Sequence, residues 1–436
     1  MKSLSLSVAT ATLLVSAAAA QAANIEFWYG NTGNVETAIQ AQCDAFNAAQ
    51  SDHEVTCVGQ GSYEIGMQKA IAAYRSGNAP VLIQFFDAGT LDLMLSDAVV
   101  PVQDIMPDVA WDNYITGARA YYETSDGRLY SQPYNSSTLL FYTNKAQLED
   151  AGVTETPQTW EEVIAAAEKL QAAGHACPFV TDGNTWRVLE QFSARHGLPI
   201  ASNHNGYDGL DAEYVLNSTF VVDHLTNLVE WRKQGLVRLD VDTKAGRYTE
   251  AFNAGECAMM EGSSGSYAAA ATAFGDAGNL SVSMAPMYEG YERHNTLVGG
   301  ASIYVMKGHG DEEVAAAKAF LDFLRTPEQQ MFFTAATGYV PVTNDVMDAI
   351  EASGEADDAK YAAAAIGIDS MNQPSTEDSR GIRLGFYVQF REVFMEETQK
   401  AWNGEQTMQV ALDNAKARGD ELLRRFEQTY QGVQLP

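Results

Sequence analysis

Positive charge is scarce in this 436-residue sequence: 27 Lys+Arg stand against 57 Asp+Glu, a formal net charge of −30. Such a surface repels nucleic acid and anionic membranes, so nucleic acid is not an expected partner. Binding a phosphate group would require a local exception to the global sign. Long apolar runs are also missing. The best candidate is the short core around Ala11–Ala20 of MKSLSLSVATATLLVSAAAAQAA. It is too short and too rich in Ala and Ser to cross a bilayer, which takes about 20 apolar residues. With Lys2 ahead of it and Ala20-Gln21-Ala22 behind, residues 1–22 read as a secretory signal peptide cut between Ala22 and Ala23. No cysteine stands at that cut, so no lipid anchor is expected.

Cysteine is rare too, with Cys43, Cys57, Cys177 and Cys257 the full set. In an exported chain an even number reads as disulfides. Three pairings are open; Cys43–Cys57 with Cys177–Cys257 is the favoured one. The first of these would close a loop of about 15 residues, worth about 3 kcal/mol in the chain-entropy description. Clustered Cys/His spacing is absent, so neither a metal nor a cofactor is expected.

Catalytic signatures are missing as well. There is no H-E-x-x-H and no Walker A pattern. EGSSGSY approaches the nucleophile elbow but has Ser266 where G-x-S-x-G needs glycine. The seven histidines are scattered, with no i,i+4 pair. The sequence therefore reads as a binding protein, with no catalytic residue to assign.

What is present is periodicity. NIEFWYG, HEVTCVG and VLIQFF read as strands, separated by helices over NVETAIQAQCDAFNAA and YEIGMQKAIAAYRSG. This βαβαβ alternation predicts a parallel α/β sheet. The pattern restarts with TLLFYTN, then a helix opened by the capping box of Thr159 and Glu162 and stopped at Gly174. CPFV and ECAMMEG read as further strands, EEVAAAKAFLDFLRT as a helix, and NGEQTMQVALDNAKARGDELLRRFEQTY as a long closing amphipathic helix. Two α/β lobes without a linker imply several crossovers, with an interlobe cleft as the natural ligand site.

Small polar and aromatic groups gather at strand–helix junctions: Tyr63, Asp87 at the end of a buried strand, Asn135 to Thr138, Ser263 and Ser264, the VGGAS stretch, and Tyr339. Open α/β sheets bind ligands at strand ends, and Gly/Ser loops with free N–H groups can cradle anions. In DSRGIRLGFYVQFREVF, Arg380, Arg383 and Arg391 are threaded among aromatics.

Taken together, IAAYRSGNAPVLIQ, SQPYNSST, FSARHGLPIASNHNGYDG, GGASIYVM, AKAFLDFL, TGYVPVT, GIRLG and ARGDELLRRFE give a sequence that resembles the periplasmic sn-glycerol-3-phosphate-binding proteins of ABC importers. The resemblance implies a periplasmic protein with the two-lobe periplasmic binding protein fold (type II, maltose-binding-protein-like) and a multi-strand hinge. It implies lobes of residues 23–136 plus 301–343 and 137–299 plus 344–436. It further implies a small phosphate-ester ligand, ABC permease subunits in the inner membrane with their ATPase as partners, and a monomer.

The family's ligand contacts fall on Tyr63, Asp87, Ser137, Ser263, Gly300, Tyr339 and Arg391, with Trp186 as an aromatic wall. Arg391 is expected to fork onto phosphate and Asp87 to accept from glycerol hydroxyls. Two departures stand out. Asp87 replaces a glutamate, and Gly183 replaces the first of two tryptophans, which would widen the pocket toward glycerophosphodiesters such as glycerophosphocholine. The alternative reading is a sugar or oligosaccharide importer's binding protein. A secreted phosphodiesterase is a third reading, for which no metal cluster or nucleophile–base pair is found.

Overall fold

The computed structural model describes residues 23–275, 277–433 and 435, so the signal-peptide reading lies outside the described residues. The chain opens with β1 (Ala23–Tyr29), α1 (Gly33–Ala49), β2 (His53–Gly59), α2 (Tyr63–Arg75) and β3 (Leu82–Phe86). In β1 the period-2 pattern buries Ile25, Phe27 and Tyr29. β3 is buried throughout, as its unbroken apolar run predicts. α1 turns Val35, Ile39, Cys43 and Phe46 onto the sheet. Ser62 caps α2, accepting from the Ile65 N–H.

Further along lie β4 (Val99–Val100), β5 (Gln132–Ser137), β6 (Leu139–Asn144), β7 (Phe179–Thr181), β8 (Val237–Leu239), β9 (Met259–Ser263), β10 (Leu280–Met284) and β11 (Gly299–Met306). The first sheet runs β2-β1-β3-β11-β4, with β5 also on β11; the second runs β10-β6-β9-β7-β8. β1, β2 and β3 are parallel, as expected. β11 is antiparallel to β3, β4 and β5. The purely parallel expectation therefore fails at the middle of the sheet. The reason is connectivity: β1 to β3 are joined by helices and all start from the far edge, whereas β11 arrives from β10 in the other sheet and enters from the near edge.

Those opposite directions put three strand ends together. Ala301 pairs with Phe86, and Gly299 with Ser137. The C-terminal ends of β3 and β5 thus meet the start of β11 at the edge facing the second sheet. There, Leu139 at the start of β6 pairs with Ser263 at the end of β9. Only Thr138 separates β5 from β6. Its hydroxyl lies 2.7 Å from that of Thr296, which in turn donates to Ser370 at 3.1 Å, a buried hydroxyl chain at the junction of the sheets.

The predicted capping box forms at Trp160–Ala172, with Thr159 and Glu162 satisfying each other's backbone N–H groups. The closing helix is Met408–Thr429, capped by Thr407 and five residues shorter at its start than the amphipathic pattern suggests. Both favoured disulfides are present. Cys43–Cys57 ties α1 to β2 and Cys177–Cys257 joins the approaches to β7 and β9, with Cα separations of 6.4 and 4.6 Å.

Candidate ligand-binding cleft

All eight residues expected at the site, Tyr63, Asp87, Ser137, Trp186, Ser263, Gly300, Tyr339 and Arg391, line one cleft of about 200 Å³ between the two sheets. Glu64, Phe86 and Arg187 complete its wall. Larger hollows exist, one of about 780 Å³ where Thr116–Gly127 faces Met371–Arg380. That hollow's Arg380 is stacked over the Tyr207 ring at 4.0 Å. Chemistry rather than size therefore picks out the smaller cleft.

Each side chain is set by its position in an element. Tyr63 opens α2, and its ring lies parallel to Phe86 with centroids 5.4 Å apart. Its hydroxyl accepts from Asn31 at 3.0 Å and Asn135 at 2.7 Å, while Gln84 donates to both of those amides at 2.7 and 2.8 Å. The Tyr63 hydroxyl also meets that of Tyr339, the two hydrogen-bonding each other. Ser263 ends β9, and its hydroxyl accepts from the Gly265 N–H at 3.1 Å. Gly300 sits at φ 93, and a Cβ there would overlap the Asn135 carbonyl oxygen, so glycine alone fits. Tyr339 stacks on Phe333 with centroids 5.8 Å apart.

Trp186 begins a π-helical turn, Trp186–Gln191. Such turns are rare and frequent at functional sites. This one delivers Trp186 and Arg187 to the cleft wall and Glu190 just behind it. The Trp186 indole N–H is buried without an acceptor among the described residues. Arg187 is offset by Asp182 and packs over Tyr248 at 4.1 Å.

Arg391 is the electrostatic centre. It projects from the helix Tyr387–Trp402 with its guanidinium near the rings of Phe86 and Tyr387, 5.7 and 5.6 Å from their centroids. Its Nε and Nη2 fork onto the two oxygens of Glu190, each at 2.6 Å, and Nη2 also reaches Asp87 at 2.8 Å. Tyr387 donates to the same Glu190 oxygen at 3.0 Å. Burial pushes the Asp87 carboxyl up from 3.8 to about 6; Arg391 pulls it down and Glu190 pushes it up. Burial works against the Arg391 charge, but Glu190 and Asp87 more than offset it and hold the guanidinium well above its ordinary pKa.

Nothing in the sequence marks Glu190 as part of the site. In WRVLEQF it looks like one carboxylate among 57 acidic residues, and no spacing rule anticipates a π-turn. Gly183 also behaves differently from expectation. It adopts φ 66, and a Cβ there would point at the Trp402 indole, 3.2 Å from Nε1. It is not part of the cleft wall, so the geometry at this position does not carry the predicted widening.

Two facing α/β sheets with a polar cleft at their junction define a two-lobe periplasmic binding protein of the maltose-binding type. The structure superposes on maltose-bound MalE3 of T. maritima with a TM-score of 0.76 at 18% identity, covering 92% of this chain and 100% of that one. UgpB from Mycobacterium tuberculosis in complex with glycerophosphocholine gives 0.76 at 20% identity, covering 92% and 99%. The chain belongs to the bacterial extracellular solute-binding protein family, matched over residues 41–364. Within it, the chain is 36% identical over 432 residues to the sn-glycerol-3-phosphate-binding periplasmic protein UgpB of Yersinia pseudotuberculosis, covering 96% of each.

Proposed function

We propose that this protein is the periplasmic solute-binding component of an ABC importer and captures sn-glycerol-3-phosphate or glycerophosphodiesters such as glycerophosphocholine. It would release them to an inner-membrane permease driven by an ATPase. One observation carries the reading: a guanidinium and several hydroxyls converge on a cleft walled by the Trp186 indole, beside the buried carboxylate of Asp87. In this reading the phosphate takes Arg391, Trp186 and Ser263, while the glycerol hydroxyls take Asp87 and Ser137. Tyr63, Tyr339 and the Gly300 N–H complete the donors. Because the donors come from both sheets, the ligand favours the state in which the sheets approach.

A neutral oligosaccharide is the second reading, and one observation favours it: Arg391 already carries two carboxylates. Calorimetric titration with glycerol-3-phosphate, glycerophosphocholine and maltose separates the two. Binding of a phosphate ester without maltose supports the proposal, and binding of maltose alone overturns it.

A further inference from the structure

The cleft holds less positive charge than a phosphate site would suggest, and Glu190 is the reason. Its side chain is 1% exposed, fixed by the π-turn and the Tyr387 hydroxyl, and it occupies two of the three nitrogens of Arg391. Asp87 takes a second hydrogen of Nη2, so Nη1 is the nitrogen left for a ligand. The cluster of one guanidinium and two carboxylates carries a net negative charge when ionised. The other cation on the wall, Arg187, is cancelled by Asp182. Tyr121 and Tyr214, which also face Glu190, are kept neutral by burial.

Resting on the phosphate-ester reading above, we propose that Glu190 is a specificity-determining residue: it offsets Arg391 so that the cleft takes singly charged phosphodiesters in preference to doubly charged phosphomonoesters. A phosphomonoester loses its second proton near pH 6 and then presents about one extra negative charge. That charge meets the surplus carboxylate at short range in a poorly solvated cleft, where repulsion is strong. A phosphodiester has no second proton to lose. A diester carrying a quaternary ammonium gains besides, since the surplus carboxylate and the aromatic rings of Tyr63 and Trp186 on the cleft wall suit a cation. Glu190 touches Arg391 rather than the ligand and therefore acts through the arginine's charge and orientation.

The test is titration calorimetry at pH 8 with glycerol-3-phosphate and glycerophosphocholine on the wild type, Glu190→Gln and Glu190→Asp, with folding checked by circular dichroism. The wild type should prefer the diester. Glu190→Gln should move the ratio of the two affinities at least tenfold toward the monoester, and Glu190→Asp should keep the wild-type ratio. A merely structural role would weaken both ligands together, and an unmoved ratio overturns the inference. The wild type supplies a readout that needs no variant: between pH 8 and pH 5.5 the ratio of monoester to diester affinity should rise, because the Asp87 carboxyl, raised to about 6, takes up a proton with either ligand whereas only the monoester gains one of its own. A wild-type preference for the monoester at pH 8 also overturns the inference, leaving the phosphate-ester reading intact. Binding of neither ligand brings down both.

Discussion

Asp87→Asn should stabilise the unliganded protein. Asp87 and Glu190, with side chains 5% and 1% exposed, share one guanidinium. A single carboxylate suffices to balance Arg391, so the second is a buried surplus charge. Its carboxyl is raised from 3.8 to about 6, chiefly by burial. The sign follows from linkage. Across that window the folded state holds the proton more tightly than the unfolded chain, so stability falls as pH rises and the full burden is present above pH 6. At about 1.4 kcal/mol per pH unit the gap amounts to a ceiling of about 3 kcal/mol, and relaxation of the cluster brings the expected gain to about 1–3 kcal/mol. Asparagine keeps the oxygen that accepts from the Ala88 N–H. Guanidinium unfolding followed by tryptophan fluorescence at pH 8 and pH 4 measures the effect. The variant should be more stable at pH 8, with the advantage nearly gone at pH 4, where wild-type Asp87 is protonated when folded. Equal or lower stability at pH 8, or a gain that ignores pH, would refute the reasoning. A gain in stability with a loss of ligand affinity would mark a charge kept for binding.

Arg391→Met strands two buried carboxylates and should cost about 3–5 kcal/mol of stability at pH 8, read by the same unfolding assay. It should also remove about 2–5 kcal/mol of phosphate-ester affinity, and unchanged binding would return Arg391 to a purely structural role. Gly300→Ala adds a methyl against the Asn135 carbonyl at positive φ, whereas Gly354 has positive φ but open space around it. Thermal unfolding should therefore show a clearly larger loss for Gly300→Ala than for Gly354→Ala, whose strain costs about 1 kcal/mol. Removing Cys177–Cys257, which spans 80 residues, should cost about 4.5 kcal/mol against about 3 for Cys43–Cys57, which spans 14. Paired Cys→Ala variants compared by denaturant unfolding check the order.

Much of this architecture can be read from local patterns because those patterns are local in cause. Alternating burial in β1, the unbroken apolar run of β3, and the Thr159–Glu162 cap depend on neighbours a few residues away. β11 escapes because its direction depends on where the chain has come from, and Gly299-Gly300 reads as a loop until strands arrive on both sides. At the site, Tyr63, Asp87, Ser137 and Ser263 are legible because each ends or begins an element. Glu190 and Arg187 are not, since their place in the site depends on a π-turn and on partners remote in sequence: Arg391 is 201 residues beyond Glu190.

The three arginines of the segment 378–394 show how an acidic chain uses scarce positive charge. None is left to solvent alone, and each does a different task. Arg380 covers the Tyr207 ring. Arg383 is 4% exposed and donates to the Glu123 carbonyl at 2.7 Å, with its guanidinium 4.8 Å from the same Tyr207 ring. Its Nη2 meets backbone carbonyls and its Nη1 the Met94 sulfur, with no carboxylate among these partners, so it fastens this segment to residues 121–123 without adding negative charge. Three residues later Phe386 takes φ 52 at the start of the helix Tyr387–Trp402, a left-handed turn that a phenylalanine adopts only when its surroundings hold it there. Its ring is held against Phe426 at 5.0 Å, edge to face. The helix axis is thus set at its first turn by contacts on both sides, and Arg391, one turn further on, arrives at Asp87 and Glu190 by construction. Weakening either anchor should therefore act at the cleft before it acts on the fold.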